Sequence, residues 1–404
     1  MLLNLMRLKL QQRRIMAKLN QSGNFHPHPD VVPDIPHPCE TLCVIGQTEA
    51  ENEFLKAFNF ERLHHAWILA GLKGIGKATL AYRIARFLLV TPTSLTTNIF
   101  SEKNLISTLN IDPNNLVFGR ILAGSEPGLK VIKRSATDTG TLSNVIRVDD
   151  IRKLHSFFGL KSANDEHRIV IIDSADEMNS EAANALLKLL EEPPLGAVLL
   201  LISHQPSRLL PTIRSRCRTL NCKQLSATDM IKALEQTGAK SIDLTSAQAL
   251  VELSSGSVGT AFRLLNNNGL TLYADLINLL CTLPKFLPND ALALAKTVTG
   301  SKNNERIDLL FFIIDFVLTR LARYGAMGTT ATDAAPNEIE ILRGLAPDTR
   351  AARIWANTAL SVNARARRGL QVNLDPSTLV LDAIFSIVQS AKQINQKPFV
   401  STIN

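Results

Sequence analysis

"AWILAGLKGIGKATLAYRIARFLL", residues 66–89, runs from an apolar strand through a glycine-rich turn into a helical pattern. Strand, glycine turn, helix is the setting in which Gly-x4-Gly-Lys-Ser/Thr cradles phosphate, because backbone N–H groups and a helix N-terminus face the anion. Gly71, Gly76 and Lys77 keep that spacing, with Gly74 between them. The hydroxyl position, however, is Ala78, and Thr79 comes one residue late. A side chain without oxygen cannot ligate the magnesium ion that accompanies a nucleoside triphosphate. An ordinary glycine turn between strand and helix is the plainer alternative, less favoured because other parts of a nucleotide site recur downstream.

Those parts begin at "RIVIIDSADEMN" (168–179), where four apolar residues lead into Asp173. This is the pattern of a buried parallel strand that ends on a carboxylate. "SEAANALLKLLEEPP" (180–194) then reads as an amphipathic helix stopped by two prolines, and "AVLLLISH" (197–204) as another buried strand. "LLPTIRSRC" (209–217) follows. Alternating strands and helices predict a doubly wound α/β sheet, with ligands beyond the strands' carboxyl ends, where Lys77 and Asp173 both fall. In phosphate-loop hydrolases with an acidic pair at this strand end, a Glu beside the Asp polarises the attacking water. Here that neighbour is Ser174. Loss of both a metal ligand and a positioned base predicts no fast hydrolysis.

Upstream, "HPHPDVVPDIPHP" (26–38) reads as an extended surface lead-in. Residues 92–145 show no clear period. Beyond Cys222 the strands stop: residues 225–270 read as short helices with a turn at "SSGSVG" (254–259), and 303–324, 350–369 and 376–393 as longer ones. The plan is one α/β domain, a small helical domain and a larger helical bundle, without a repeat at fixed period.

The chain has 404 residues, long enough for two or three domains, and 45% of them are hydrophobic. Its 44 Lys and Arg against 36 Asp and Glu leave +8. Five of those charges, Arg7, Lys9, Arg13, Arg14 and Lys18, sit in the first 25 residues without an acid. Residues 1–25 therefore read as a flexible basic arm, and Met16 is a candidate start. Its charges interrupt any apolar segment, which argues against an export signal and makes a transit peptide weak. "LLFFIIDFVLT" (309–319) is too short to span a bilayer and contains Asp315, so no membrane partner is expected. The five cysteines, Cys39, Cys43, Cys217, Cys222 and Cys281, suggest reduced thiols and a cytoplasmic protein. Cys39 and Cys43 have the spacing of half a metal site, but no second pair completes it, and no zinc is expected.

Taken together, "HAWILAGLKGIGKATLA", "VIIDSADEMNSEAANALLKLLEEPP" and "LLPTIRSRCR" resemble the delta-prime subunits of the bacterial DNA polymerase III clamp loader, members of the AAA+ superfamily. The resemblance covers roughly residues 40–270; beyond, it rests on helical content and "NLDPSTLVLDAIFSI" (373–387). It implies a RecA-like AAA+ domain over 26–224, a helical lid over 225–272 and a helical oligomerisation collar over 273–404. In that family the Arg of Ser-Arg-Cys enters the nucleotide site of the next subunit, which here assigns Arg216 as an arginine finger in trans. A guanidinium there would stabilise charge building on the γ-phosphate. One such triplet alone would equally fit a salt-bridged surface arginine; the ordered upstream motifs favour the finger.

The active members' lid also places an Arg on the phosphates within Gly-Ser-x-Arg. The matching stretch is "GSVG" (256–259), with Gly259 at the arginine position. Ser203 or His204 matches the position that senses the nucleotide. Residues 90–165 contain no cysteine, so the four-cysteine zinc module of many relatives is missing. The retained Gly71, Gly74, Gly76, Lys77, Thr79 and Asp173 imply a degenerate site that holds ATP or ADP weakly, without turnover.

The implied role is a non-hydrolysing loader subunit, with the other loader subunits, the sliding clamp and primer–template DNA as partners. An ATP-hydrolysing motor of the same assembly is the alternative. A DNA-binding protein using the basic arm is a third reading, and "LKVIKR" (129–134) is a candidate DNA contact.

Overall fold

The computed structural model describes residues 35–60, 63–91, 105–135, 143, 145–159, 167–239, 242–283, 285, 288–297, 304–328, 332–372 and 374–395. The basic arm, Met16 and most of the 26–38 lead-in lie outside the described residues. The chain divides into two compact units. One comprises the residues up to Gly71 together with Lys77–Cys222; the other comprises Leu72–Gly76 and the residues from Lys223 onward. The tip of the glycine loop is thus grouped with the helical unit.

Among the described residues, the first unit is built on five strands: β1 (Ala66–Ala70), β2 (Leu129–Lys133), β3 (Arg168–Asp173), β4 (Ala197–Ser203) and β5 (Arg218–Asn221). All pair in parallel, in the order β2-β3-β4-β1-β5. Its helices are α1 (Thr48–Asn59), α2 (Lys77–Val90), α3 (Leu116–Leu122), α4 (Val148–Gly159), α5 (Ser180–Glu191) and the single turn α6 (Pro211–Arg214). Period-2 alternation splits the central strands between two apolar layers. On one face Ile68, Ile172, Leu199 and Leu201 pack with Ile151 and Leu154 of α4 and with Leu186, Leu189 and Leu190 of α5. Residues of opposite parity, Trp67, Leu69, Ile171 and Leu200, are equally buried. Trp67 meets Phe54 of α1 at 5.3 Å between ring centroids. This is a doubly wound α/β sheet.

Two arginines of α2 tie the chain ahead of α1 to this unit. Buried Arg86 donates to the carbonyls of Cys39 and Thr41, and Arg83 donates to that of Leu42 and to Asn110 Oδ1.

The regular elements of the second unit, among its described residues, are helices: α7 (Ala227–Thr237), α8 (Leu244–Ser254), α9 (Val258–Asn266), α10 (Gly269–Cys281), α11 (Pro288–Lys296), α12 (Asn304–Met327), α13 (Glu338–Leu345), α14 (Thr349–Gln371) and α15 (Pro376–Asn395). Side-chain caps from Ser226, Asp243, Ser257 and Asp348 start α7, α8, α9 and α14 by satisfying first-turn N–H groups. No described helix is long and apolar enough to cross a membrane.

His167, at the entry to β3, is buried, and that burial holds its pKa below the ordinary 6.5. The unfolded chain therefore binds the proton first. The contribution of His167 to stability is complete above about pH 6.5 and is lost as the pH falls below it. The urea midpoint should accordingly fall between about pH 7 and pH 5, and more shallowly in His167→Phe, where His65, shifted the same way, still contributes. Parallel slopes in the two proteins would disprove the assignment.

Candidate functional site

Parallel register sets the site. Ala70, the last residue of β1, pairs with Ser203 of β4 and Asn221 of β5, while Asp173 of β3 pairs with Ile202 of β4. The glycine turn after β1, Ser203 at the end of β4 and Asp173 at the end of β3 therefore share the carboxyl edge of the sheet. Gly71, Gly74 and Gly76 have φ of 150°, 82° and 97°. Backbone of the kind seen at Gly74 and Gly76 is costly for residues with a Cβ. Gly74 is also crowded: a Cβ there would fall 2.1 Å from Ser257 Oγ, and its carbonyl accepts the Val258 N–H at 3.2 Å.

Lys77 opens α2 and is buried at 3% exposure. Its ammonium donates to the Gly71 carbonyl at 2.7 Å, across the loop it belongs to. The Cys222 thiol lies close enough to feel that charge: burial pushes it up to about 11, with Lys77 opposing. Ala78 and Thr79 both lie in the first turn of α2 and are half-buried.

At the end of β3, the Ser174 hydroxyl lies 2.8 Å from His204 Nε2 and donates to Asp173 Oδ1 at 3.3 Å. The His204 backbone N–H donates to Asp176 Oδ1 at 3.0 Å. The position that would carry a water-polarising Glu is thus a buried hydroxyl bound to the residue after β4. Ser203 is fully buried, and among the described residues its hydroxyl has no hydrogen-bond partner. Residues 258 and 259 form the start of α9, so Gly259, at the lid-arginine position, is a first-turn helix residue without a side chain.

Arg216 follows α6 and is 37% exposed. It is salt-bridged: Nη2 lies 2.9 Å from Glu191 Oε1, and Nη1 donates to the Thr212 carbonyl at 3.1 Å. Its neighbours are anchored. Cys217 packs against the core, and burial pushes its thiol up to about 12. The Arg218 guanidinium lies 5.3 Å over the Trp67 ring.

Cys39 Sγ is 2.9 Å from His37 Nδ1, while Cys43 is exposed. Among the described residues, no group of three or more His, Cys, Asp or Glu side chains could hold a metal.

Residues 46–226 match the family model described as DNA polymerase III, delta subunit. Over that span the chain is similar to the family. Within the matched span lie the glycine turn, Asp173, Ser174, His204 and Arg216. The delta-prime subunit of Pseudomonas aeruginosa is 37% identical over 203 residues, covering 50% of this chain and 55% of that protein. The delta-prime subunit of Bacillus subtilis is 32% identical over 160 residues, covering 40% and 42%. The DNA polymerase III gamma subunit of Buchnera aphidicola (Schizaphis graminum strain) is 26% identical over 229 residues, covering 55% and 57%. The chain thus spans about half the length of the curated relatives it matches.

Two relations within the matched span are not legible in the sequence. The Glu191–Arg216 pair crosses 25 residues, and its one local clue was the pair of acids ending α5. The contact between Ser174 and His204 needs the β3–β4 register, which an apolar run does not reveal.

Proposed function

We propose that this chain is a delta-prime-like subunit of the DNA polymerase III clamp loader that does not hydrolyse nucleotide and supplies Arg216 in trans to a neighbouring ATPase subunit. The observation that carries this reading is the contrast within one domain. Its own site has Ala78 in place of a hydroxyl and a Ser174 bound to His204 in place of a free carboxylate. Yet Arg216 is presented at the surface on anchored backbone. The other loader subunits, the sliding clamp and primer–template DNA are the proposed partners, with residues 225–272 as lid and 273–404 as collar. Gly71, Gly74, Gly76, Lys77, Thr79 and Asp173 retain a cradle for ATP or ADP, held weakly.

A second reading, an ATP-hydrolysing motor subunit, draws on that retained loop and on the similarity to gamma subunits. The two separate in one experiment. The purified chain is assayed for ATP hydrolysis alone and after reconstitution with the loader's ATPase subunits and clamp, as wild type, Lys77→Ala and Arg216→Ala. The proposal expects no turnover by the isolated chain and a loss in the complex only on Arg216→Ala. Turnover by the isolated chain that Lys77→Ala abolishes would replace it with the motor.

A further inference from the structure

Glu191 and Glu192 end α5 with two carboxylates at the negative pole of the helix dipole, where basic residues are favoured. Residues that work against local stability point to another use of the position. Glu191 has one in Arg216: its Oε1 is 2.9 Å from Arg216 Nη2, while the Thr212 carbonyl accepts from Nη1. The guanidinium carries five N–H donors in a rigid plane, and these two contacts engage it from its own domain. The side chain remains 37% exposed. With Cys217 packed into the core and Arg218 set over Trp67, the backbone beneath Arg216 is fixed as well. Both terminal nitrogens of the guanidinium are thereby engaged by groups of its own domain.

We infer that Glu191 is the positioning residue of Arg216, holding the guanidinium so that its remaining donors meet a phosphate oxygen of the nucleotide in the partner subunit. This rests on the trans-arginine reading proposed above. Glu191 acts only through Arg216. An exposed ion pair adds little to folding, so the pair's effect should be read in turnover and not in stability.

The test uses the loader reconstituted with its ATPase subunits, clamp and primer–template DNA. It compares wild type, Glu191→Ala, Glu191→Asp, Arg216→Ala and the double variant Glu191→Ala/Arg216→Ala. Glu191→Ala should lower kcat about 3- to 10-fold with KM for ATP changed by less than about 2-fold, because a donor in the wrong pose loses transition-state contact rather than binding. Glu191→Asp should recover part of the loss. The double variant should be no slower than Arg216→Ala, since Glu191 has nothing left to position. If Arg216→Ala slows the complex while Glu191→Ala leaves kcat unchanged or raises it, or adds its full effect to Arg216→Ala, the positioning role is wrong and the finger stands. If Arg216→Ala itself changes nothing, both fall.

Discussion

Glu338→Ala should destabilise the helical unit by about 3–5 kcal/mol, the cost of breaking a buried ion pair and leaving its partner uncompensated. Glu338 opens α13 and is fully buried. Its carboxylate accepts from the Tyr273 hydroxyl and, at 2.8 Å, from the Ala334 N–H, and lies 2.8 Å from Arg320 Nε. Arg320, itself buried, reaches Glu252 at 3.5 Å and the Thr332 carbonyl at 3.0 Å. Residues from α8, α10, α12 and α13 therefore meet in one network. Burial and the adjacent Glu338 carboxylate push the Tyr273 phenol well above its ordinary range, so it stays a donor. Against a typical total stability of about 5–15 kcal/mol, such a loss is severe.

Glu338→Gln should cost less, because its amide oxygen can still accept and Arg320 keeps Glu252. Arg320→Met/Glu338→Leu should be closer to wild type than the sum of the single changes, since the double variant leaves no uncompensated charge at either position. The chain has two tryptophans, Trp67 in the α/β unit and Trp355 buried in the helical unit, so a Trp67→Phe background isolates the helical transition. A shift of less than about 1 kcal/mol in the Glu338→Ala urea curve would mean that the network contributes as little as an exposed pair.

Nothing in the sequence announced that network. Glu252, Tyr273, Arg320 and Glu338 are spread over helices whose charged residues read as solvent-facing one at a time. Only tertiary packing makes them partners. The α/β unit was legible for the opposite reason. Strands β1, β3 and β4 are central, buried on both faces and bounded by glycine or acidic turns, so each is an apolar run that could be read directly. The edges were harder. β2 lies within the stretch without clear period, and its "LKVIK" mixes two lysines with apolar residues, so that it reads as a basic DNA-contact candidate and not as a buried strand. β5 is the four-residue "RTLN", with Leu220 alone buried. The glycine turn and the carboxylate ending β3 were legible from spacing, because both are local features. Their contacts across the carboxyl edge of the sheet were not.

Arg216→Ala is expected to have the largest effect on activity. A guanidinium supplied to a phosphoryl-transfer site in trans accounts for about 10³–10⁵ in rate. Chemistry at the receiving site should therefore slow by at least about 10³, equivalent to about 4 kcal/mol of transition-state stabilisation. Steady-state turnover of the whole complex will fall by less wherever other sites fire independently, so a single-turnover measurement on the complex is the proper readout. Arg216→Lys should restore little. An ammonium is a compact point charge without the planar fork, and it cannot reproduce both the contact to Glu191 and the outward-facing donors. The KM for ATP should hold, because the interaction belongs to the charge that develops in transfer and not to the bound ground state. Folding should be unaffected: the Arg216–Glu191 pair is 37% and 49% exposed on its two sides and is worth no more than about 1 kcal/mol. A complex that hydrolyses ATP at the wild-type single-turnover rate with Arg216→Ala, while the variant subunit melts and assembles normally, would leave Arg216 a salt-bridged surface residue. A loss of rate without loss of assembly would assign it to the neighbour's chemistry, since the chain's own site, with Ala78 and Ser174, lacks the metal-ligating hydroxyl and the water-polarising carboxylate.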